Sequence, residues 1–283
     1  MSAPLLLCDT PGLLYRGFFA LPDSIKGAEG RPVNALVGSV NMTLWCVEKY
    51  RPRAVVMCFG QESADYRVEA FPDYHAARPE MPEDLAWQWE RAPALYEALG
   101  WTVLGHESLE ADDLMGSFAA LETEHGGQTL ILTADRDMFQ CANESVTILL
   151  QKARQQGPDE VGPDQVREIY GIDPSQVPDF IALRGDPSDR LPGARGVGAI
   201  GAAVILKQYG SLEAALQAGR FSAEAKQLRV FRSIATMDPK APLPDLGAQT
   251  PKWKQAASLA ARWELNQLAK RLEELAGEES AAA

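Results

Sequence analysis

Acidic side chains follow several of the predicted strands, at the points where those strands end. Ligands of open α/β sheets bind outside the carboxyl ends of the strands, so these carboxylates are expected at one edge of one sheet. Two more lie in a glycine- and proline-rich loop that would turn back toward the same edge. The candidates are Asp9, Glu110, Asp112, Asp113, Asp135 and Asp137 after strands, and Asp186 and Asp189 in the loop.

Each acidic segment also has a structural interpretation. Acids at 110–113 fit the first turn of a helix, where they cap it and favour its dipole, and those at 135–137 and 186–189 fit turns or a solvated loop. Their convergence favours chemistry, because neighbouring carboxylates repel one another unless a cation neutralises them. Oxygen ligands without nearby Cys or His predict Mg²⁺ or Mn²⁺. Two such ions, about 4 Å apart, activate water and stabilise the leaving oxygen in phosphodiester hydrolysis.

Two glycine motifs invite other interpretations. Residues 196–201, Gly-Val-Gly-Ala-Ile-Gly, spell G-x-G-x-x-G but follow a loop instead of a strand, which excludes a dinucleotide site. We interpret them as a tight turn between helices, whose backbone amides hold a DNA phosphate. Residues 9–12, Asp-Thr-Pro-Gly, resemble a GTPase switch, but no G-x-x-x-x-G-K-[ST] motif accompanies them.

The apolar pattern predicts an α/β fold with a central, mostly parallel sheet, followed by an all-helical lobe. Apolar runs predict strands at 5–8, 54–59, 102–104, 129–132 and 146–150. Amphipathic stretches predict intervening helices at 33–50, 82–99 and 111–125. Later helices are expected at 163–170, 177–183, 199–209 and 254–275. We therefore expect a core at 1–160, a helical lobe at 161–276 and a flexible tail at 277–283.

Composition sets limits on location and partners. The 283 residues are 46% hydrophobic, enough for a packed core. The net charge of −12 argues against nucleic acid at first, but eight of the carboxylates are candidate metal ligands, and bound cations would invert the local sign. Neither zinc nor disulfides are expected, since the four cysteines lack C-x-x-C spacing. Without an apolar span or signal peptide, we expect a cytoplasmic, nucleoid-associated monomer with no membrane partner.

Several motifs in one order resemble the 5′ nuclease family, which is flap endonuclease-like and PIN-related and includes the N-terminal nuclease domain of bacterial DNA polymerase I. The resemblance runs from about Leu5 to Leu275, and no polymerase domain follows, so we expect a stand-alone exonuclease. The matching pieces are Leu-Leu-Cys-Asp9 with Tyr15-Arg16, Tyr66-Arg67 through Tyr74 and Arg78, Glu110-Ala-Asp112-Asp113, Leu-Thr-Ala-Asp135-Arg-Asp137, and Gly185-Asp186-Pro-Ser-Asp189 running into Gly198.

The resemblance implies a PIN-like core, an arch at about 62–95 that admits a 5′ single strand, and a helix-two-turn-helix motif at 193–201, often with K⁺. It implies a first metal site from Asp9, Glu110 and Asp112 or Asp113, and a second from Asp135, Asp137, Asp186 and Asp189. Catalytic residues near the scissile phosphate would be Arg16, Arg67, His75 and Arg78. DNA-binding residues would be Tyr15, Tyr74, Arg190, Gly193, Arg195, Gly196 and Gly198. Alternatively, the arginines are surface charges and Tyr74 is a packing aromatic.

The implied function is a metal-dependent 5′-3′ exonuclease or flap endonuclease that hydrolyses 5′-flap or nicked DNA in replication and repair, with RNA primer strands as further substrates. Three departures from the family pattern bear on it. Gly60 stands where a strand should end in a ligating aspartate, and His75 replaces an arch lysine. Arg190 replaces an asparagine, and the lysine expected after the glycine turn is absent. We expect Glu62 to compensate for Gly60, and Gly60→Asp to raise magnesium-supported turnover.

Two alternatives remain open. The missing ligand at Gly60 would suit a catalytically weakened relative that binds branched DNA, although the other carboxylates argue against it. A PIN-type ribonuclease would share the α/β core and the acidic cluster. The helical lobe with its glycine turn argues against this second alternative.

Overall fold

The computed structural model describes residues 3–76, 78–152, 157–237 and 240–282, with side chains to residue 279. Six strands form one sheet in the order β3-β2-β1-β4-β5-β6, with every pair parallel except β5 and β6. The strands are β1 Leu5–Asp9, β2 Ala54–Cys58, β3 Thr102–Leu104, β4 Thr129–Thr133, β5 Val146–Leu150 and β6 Asp159–Val161. The predicted α/β class with a mostly parallel sheet is confirmed.

Twelve α-helices lie within the described residues. They are α1 Thr10–Ala20, α2 Asn34–Tyr50, α3 Asp65–Ala70, α4 Glu83–Ala98, α5 Ala111–Glu124, α6 Pro163–Tyr170, α7 Val177–Arg184, α8 Ala199–Tyr209, α9 Leu212–Gln217, α10 Ala225–Ala235, α11 Trp253–Arg262 and α12 Asn266–Ala282. Short 3-10 helices occupy Asp137–Cys141 and Pro174–Gln176. None of the helices in the described ranges is long and apolar enough to cross a lipid bilayer.

The central strand β1 is buried on both faces, which is why it is apolar throughout instead of alternating. Leu5 and Leu7 point into a core formed with α5 to α10, while Leu6 and Cys8 point into a second core on the opposite face. The second core is made with α1, α2, α4, α11 and α12. Apolar burial on both sides thus fixes the sheet and places its carboxyl edge.

The C-terminal region differs from the prediction in three ways. The expected helix at 254–275 is two helices, because the chain turns at Glu264, whose φ is +58°. These two helices pack on the second core instead of joining the lobe of α6 to α10, as apolar contacts of Trp253 and Leu272 show. The segment from residue 277 continues α12 to Ala282 instead of forming a frayed tail, and residue 283 lies outside the described part.

Candidate functional site

A cleft of about 370 Å³ opens at the carboxyl edge of the sheet, where β1, β2 and β4 end. Four of the predicted carboxylates line it. A smaller adjoining pocket brings in Asp137 and Asp189 and shares some of these walls. The carboxylates lining the two pockets are Asp9, Glu110, Asp112, Asp135, Asp137 and Asp189.

Asp9 ends β1 and also caps α1. Its Oδ1 accepts a hydrogen bond from the Gly12 amide at 2.9 Å, and its Oδ2 accepts one from the Thr133 hydroxyl at 2.8 Å. Burial raises the pKa of Asp9, while these two hydrogen bonds act in the opposite direction. The site residue is therefore held in place by the strand-to-helix turn itself.

Thr133 joins the two groups of carboxylates, a role that the sequence analysis missed. Its hydroxyl donates to Asp9 and accepts the Asp135 amide at 2.9 Å. The only signal for it was its position two residues before Asp135 at the end of an apolar run. β-branched side chains are common in strands, so a threonine at this position does not indicate a role in the site.

Arg67 lines the smaller pocket, but carboxylates engage its guanidinium, and its expected place near the scissile phosphate stays a prediction. Its side chain is 4% exposed and bonds both oxygens of Asp113 at 2.9 Å, with Glu110 Oε1 at 3.2 Å. Desolvation acts to lower the pKa of Arg67, but the charges of Glu110 and Asp113 outweigh it and raise the pKa. Arg67 is a buried structural cation that ties the arch to the start of α5.

Asp113 is likewise committed to this network, since it also accepts the Tyr66 hydroxyl at 2.9 Å and the Glu110 amide at 3.2 Å. Asp112 instead lines the cleft. Burial, together with the charges of Asp135, Asp9 and Glu110, raises the pKa of Asp112. Between the two neighbours, the geometry therefore favours Asp112 over Asp113 as the side chain available to a cation.

Glu110 occupies an intermediate position. Its Oε1 accepts the Ala64 amide at 2.7 Å, and its Oε2 accepts the Tyr74 hydroxyl at 3.1 Å. Tyr74 is thus a buried partner of Glu110, which favours the packing interpretation. It also lines the smaller pocket, and its expected contact with DNA stays a prediction. Both residues fasten the arch against α5.

The second acidic group is held by backbone and side-chain donors. Asp135 accepts the Asp137 amide at 2.7 Å, and Asp186 accepts Arg184 at 2.8 Å and the Ser188 amide at 2.9 Å. The cleft walls remove part of the water around Asp135, and the charges of Asp9, Asp189 and Asp186 raise its pKa to about 6, against the Asp137 hydrogen bond. Desolvation and the charge of Asp135 likewise raise the pKa of Asp137.

His75 connects the arch to this acidic group. Its Nε2 lies 2.9 Å from Asp189 Oδ1, and its Nδ1 lies 2.9 Å from the Glu62 carbonyl oxygen. The ring stacks on Tyr74 with centroids 3.7 Å apart, and the residue has φ of +55°. Arg78 lies at the outer rim, with Nη2 4.0 Å from Asp189 Oδ1. Arg78 therefore lines the cleft with a partly exposed guanidinium, whereas the His75 side chain is buried and has a partner at each ring nitrogen.

Tyr15 and Arg16 are neighbours in α1 but face different places. Tyr15 lines the carboxylate cleft, whereas Arg16 lines a separate groove with Trp45 and Lys152. The structure therefore does not bring Arg16 to the carboxylates, because successive helical residues point about 100° apart.

Gly60 is in close contact with the start of α5. A Cβ built at position 60 would lie 2.3 Å from the Ala111 nitrogen and 2.4 Å from the Glu110 carbonyl carbon. These are backbone atoms, which cannot rotate away. The space that a side chain at position 60 would need is occupied by the α5 backbone, so an aspartate there would strain this contact. The expected gain in magnesium-supported turnover of Gly60→Asp stays a prediction. Glu62 lines the same cleft, so its proposed compensating role remains a prediction.

The glycine turn begins with a backbone contact. At Gly193, φ is +72° and a Cβ would lie 2.4 Å from the Gly185 nitrogen. Gly196 and Gly198, by contrast, have nothing within 4 Å of a Cβ, and Gly198 caps α8. Arg190 and Arg195 are exposed beside them. The predicted DNA-binding turn is thus an open surface at a helix N-terminus.

The donor set fits a hard divalent cation, since the cleft presents carboxylate oxygens and the buried thiols of Cys8 and Cys58 are kept protonated by burial, which raises each pKa. Within residues 3–76, 78–152, 157–237 and 240–282, no three His, Cys, Asp or Glu side chains are arranged closely enough to enclose an ion. Magnesium is commonly held by one or two carboxylates with water and substrate phosphates completing its shell. The cleft is compatible with that mode.

Comparisons with known proteins agree with this architecture. Residues 4–171 match the family model described as 5′-3′ exonuclease, N-terminal resolvase-like domain, and residues 172–278 match its C-terminal SAM fold. A 5′-3′ exonuclease from Streptomyces coelicolor is 33% identical over 94% of this chain and 98% of its own length. DNA polymerase I of Mycobacterium bovis is 37% identical over 74% of this chain, which spans only 23% of that relative's length.

Solved structures show the same fold. The bacteriophage T5 flap endonuclease, in a complex with DNA and metal ions, superposes with a TM-score of 0.68 at 18% identity over 97% of this chain and 99% of that one. The catalytic core of Rad2 with DNA substrate gives 0.62 at 14% identity over 96% of this chain and 93% of the other. By its sequence matches along nearly the whole length, the chain belongs to the 5′-3′ exonuclease family.

Proposed function

We propose that this protein is a divalent-metal-dependent 5′-3′ exonuclease and flap endonuclease that hydrolyses phosphodiester bonds in 5′-flap or nicked DNA. The observation that carries the proposal is the convergence of Asp9, Asp112 and Asp135 on one cleft, where the charge of Asp9 raises the pKa of both others and the charge of Asp135 raises that of Asp112. Carboxylates that repel one another in this way are stabilised when a cation binds between them. Replication and repair provide such DNA substrates, which would place the protein at the nucleoid.

The residues divide into two proposed metal sites. Asp9, Glu110 and Asp112 would surround the first ion, and Asp135, Asp137, Asp186 and Asp189 the second. One or two carboxylates of each group would bind the ion directly, and the others would reach it through water. Magnesium or manganese bound there would supply an activated water and charge stabilisation for the leaving oxygen. Asp113, with both oxygens bonded to Arg67, positions Glu110 in this scheme instead of binding metal.

The side chains around the cleft would orient the scissile phosphate. Arg78 offers an exposed guanidinium at the rim, and His75 offers an imidazole held between Asp189 and the Glu62 carbonyl oxygen. Their positions would direct the phosphate toward the carboxylates. Tyr15, which lines the same cleft, would contact the adjacent nucleotide.

Duplex DNA would bind at the glycine turn. The open space around Gly196 and Gly198 suits a phosphate at the N-terminus of α8, and Arg190 and Arg195 would supply the positive charge. The proposal includes a potassium ion at this turn, RNA primer strands as additional substrates and a monomeric protein.

A labelled 5′-flap duplex incubated with magnesium, with manganese and with chelator tests the nuclease. We expect cleavage that chelator and Asp135→Ala both abolish. Asp164→Ala, which removes an exposed carboxylate paired with Arg167 on α6, should cleave normally. Cleavage that persists in chelator would refute metal dependence.

A second candidate function is branched-DNA binding with little cleavage, favoured by the backbone contact at Gly60 and the histidine at position 75. It predicts tight flap binding without product in either metal. Comparing DNA and RNA flaps of one shape distinguishes a ribonuclease from both. Loss of manganese affinity in Glu62→Ala would support Glu62 as a compensating ligand, whereas unchanged affinity would exclude it.

A further inference from the structure

A row of aromatic side chains leads from the sheet across the cleft wall to the protein surface. Phe59 contacts Trp89 with ring centroids 5.5 Å apart, Trp89 contacts Tyr15 at 6.4 Å, and Tyr15 contacts Phe19 at 6.3 Å. The first ring is buried and the last is 71% exposed. The row therefore begins in the core and ends in water.

The middle of the row is part of the lining of the same cleft as the carboxylates. Trp89 and Tyr15 line it together with Pro79 and Met81. A nucleotide whose phosphate lay at Asp9 would thus have an apolar wall within reach. The apolar lining residues have no part in the proposed metal sites, so they are available to contact the base.

Core packing explains the inner rings but not the outer one. Phe59 and Trp89 contact each other edge to face, an arrangement common in protein interiors. Phe19 contacts Phe18 and Tyr15 yet leaves most of its surface in water. Since Tyr15 and Phe19 are one helical turn apart in α1 and their ring planes differ by 27°, they present their faces in nearly the same direction.

We propose that Trp89, Tyr15 and Phe19 form a stacking platform for unpaired bases of a single strand that leaves the carboxylate cleft along α1, with Phe19 as its outer step. The inference rests on the proposed function, because it takes the cleft as the place where the strand's phosphate binds. Aromatic side chains bind successive bases of a single strand without sequence preference, since every base has a π-face. Because the row is continuous with the cleft, we infer that it binds the unpaired DNA strand and not a protein partner.

Binding of matched flap substrates, measured by fluorescence anisotropy in chelator, tests the platform. One substrate has ordinary unpaired nucleotides, and the other has abasic nucleotides at the unpaired positions nearest the junction. We expect Phe19→Ala to raise the Kd of the ordinary strand about 5- to 10-fold, which is the lower end of the loss of affinity caused by removing one base–aromatic stack. The Kd of the abasic strand should not change. Phe19→Trp, which keeps a ring, should restore binding.

Ile169→Ala is the matched control, because Ile169 is another exposed apolar side chain, on α6, and should bind both substrates like the unmodified protein. With metal present, the Phe19→Ala effect should appear in KM and leave kcat unchanged. Equal loss on ordinary and abasic strands, or no loss on the ordinary strand, would overturn the platform. If the unmodified protein binds flaps but cuts none, the proposed function fails, and the abasic comparison still decides the platform.

Discussion

Replacing Gly60 by alanine should destabilise the protein although it adds a single methyl group. The new Cβ would lie 2.3 Å from the Ala111 nitrogen and 2.7 Å from the Glu110 Cα. Contacts of that length do not occur between unstrained atoms, so β2 and the start of α5 must separate. Overpacking of this kind costs about 1–3 kcal/mol. For a chain of this size, that corresponds to a fall in Tm of roughly 3–10 °C.

Thermal unfolding of Gly60→Ala, Gly60→Asp and Gly105→Ala measures the effect. Gly105 follows the neighbouring strand, and a Cβ there would meet only the Phe59 Cβ at 3.8 Å, an ordinary contact. Gly105→Ala should therefore keep its Tm. Both Gly60 variants should lose stability alike, because the steric conflict arises at Cβ. An unchanged Tm for Gly60→Ala, or a gain in magnesium affinity for Gly60→Asp without loss of stability, would refute the steric argument.

Three further predictions concern the surrounding site. Arg67→Met should lower the free energy of unfolding by about 3–5 kcal/mol, since it leaves Glu110 and Asp113 buried without their cation. The control Arg78→Met, at the exposed rim, should change the Tm by about 1 °C or less. Equal Tm values for the two variants would contradict the buried role of Arg67. Gly193→Ala should lower the free energy of unfolding by at least about 1 kcal/mol, because φ is positive there and the Cβ would meet the Gly185 backbone. The control Gly198→Ala, which has open space around its Cβ, should have the Tm of the unmodified protein. In chelator, stability should rise as the pH falls from about 8 toward 6, because the pKa of Asp135, about 6, lies above its unfolded value and the folded state takes up the proton first. Solvent screening limits the gain to a few degrees in Tm, and saturating magnesium should abolish it; a pH-independent Tm in chelator would contradict the assignment.

The sheet was predictable because its strands are short apolar runs buried on both faces, a pattern with few alternatives. The carboxylates at the strand ends followed from that assignment. The packing of α11 on the second core was not predictable, because an amphipathic helix shows which side is buried but not which partner buries it. For the same reason, the sequence pattern predicted α11 and α12 as part of the helical lobe.

The site was less predictable where it depends on contacts between residues that are far apart in the sequence. Arg67 reads as a surface cation until Asp113, 46 residues later in the chain, is seen to bond it. Gly60 reads as a lost ligand until the backbone of α5 is seen against it. Neither contact leaves a local pattern, whereas Asp9 could be predicted because its strand and its helix adjoin it.

The close approach of Gly193 to the Gly185 backbone has a consequence for the proposed cleavage reaction. Asp186 and Leu191 exchange two backbone hydrogen bonds of 2.8 Å, and the Ala194 amide bonds the Leu183 carbonyl oxygen at 2.9 Å. The loop that bears Asp186 and the turn proposed to hold duplex DNA are therefore one rigid unit. A duplex held at that turn would lie at a fixed distance from the carboxylates, so the protein, and not the length of the flap, would determine the size of the product.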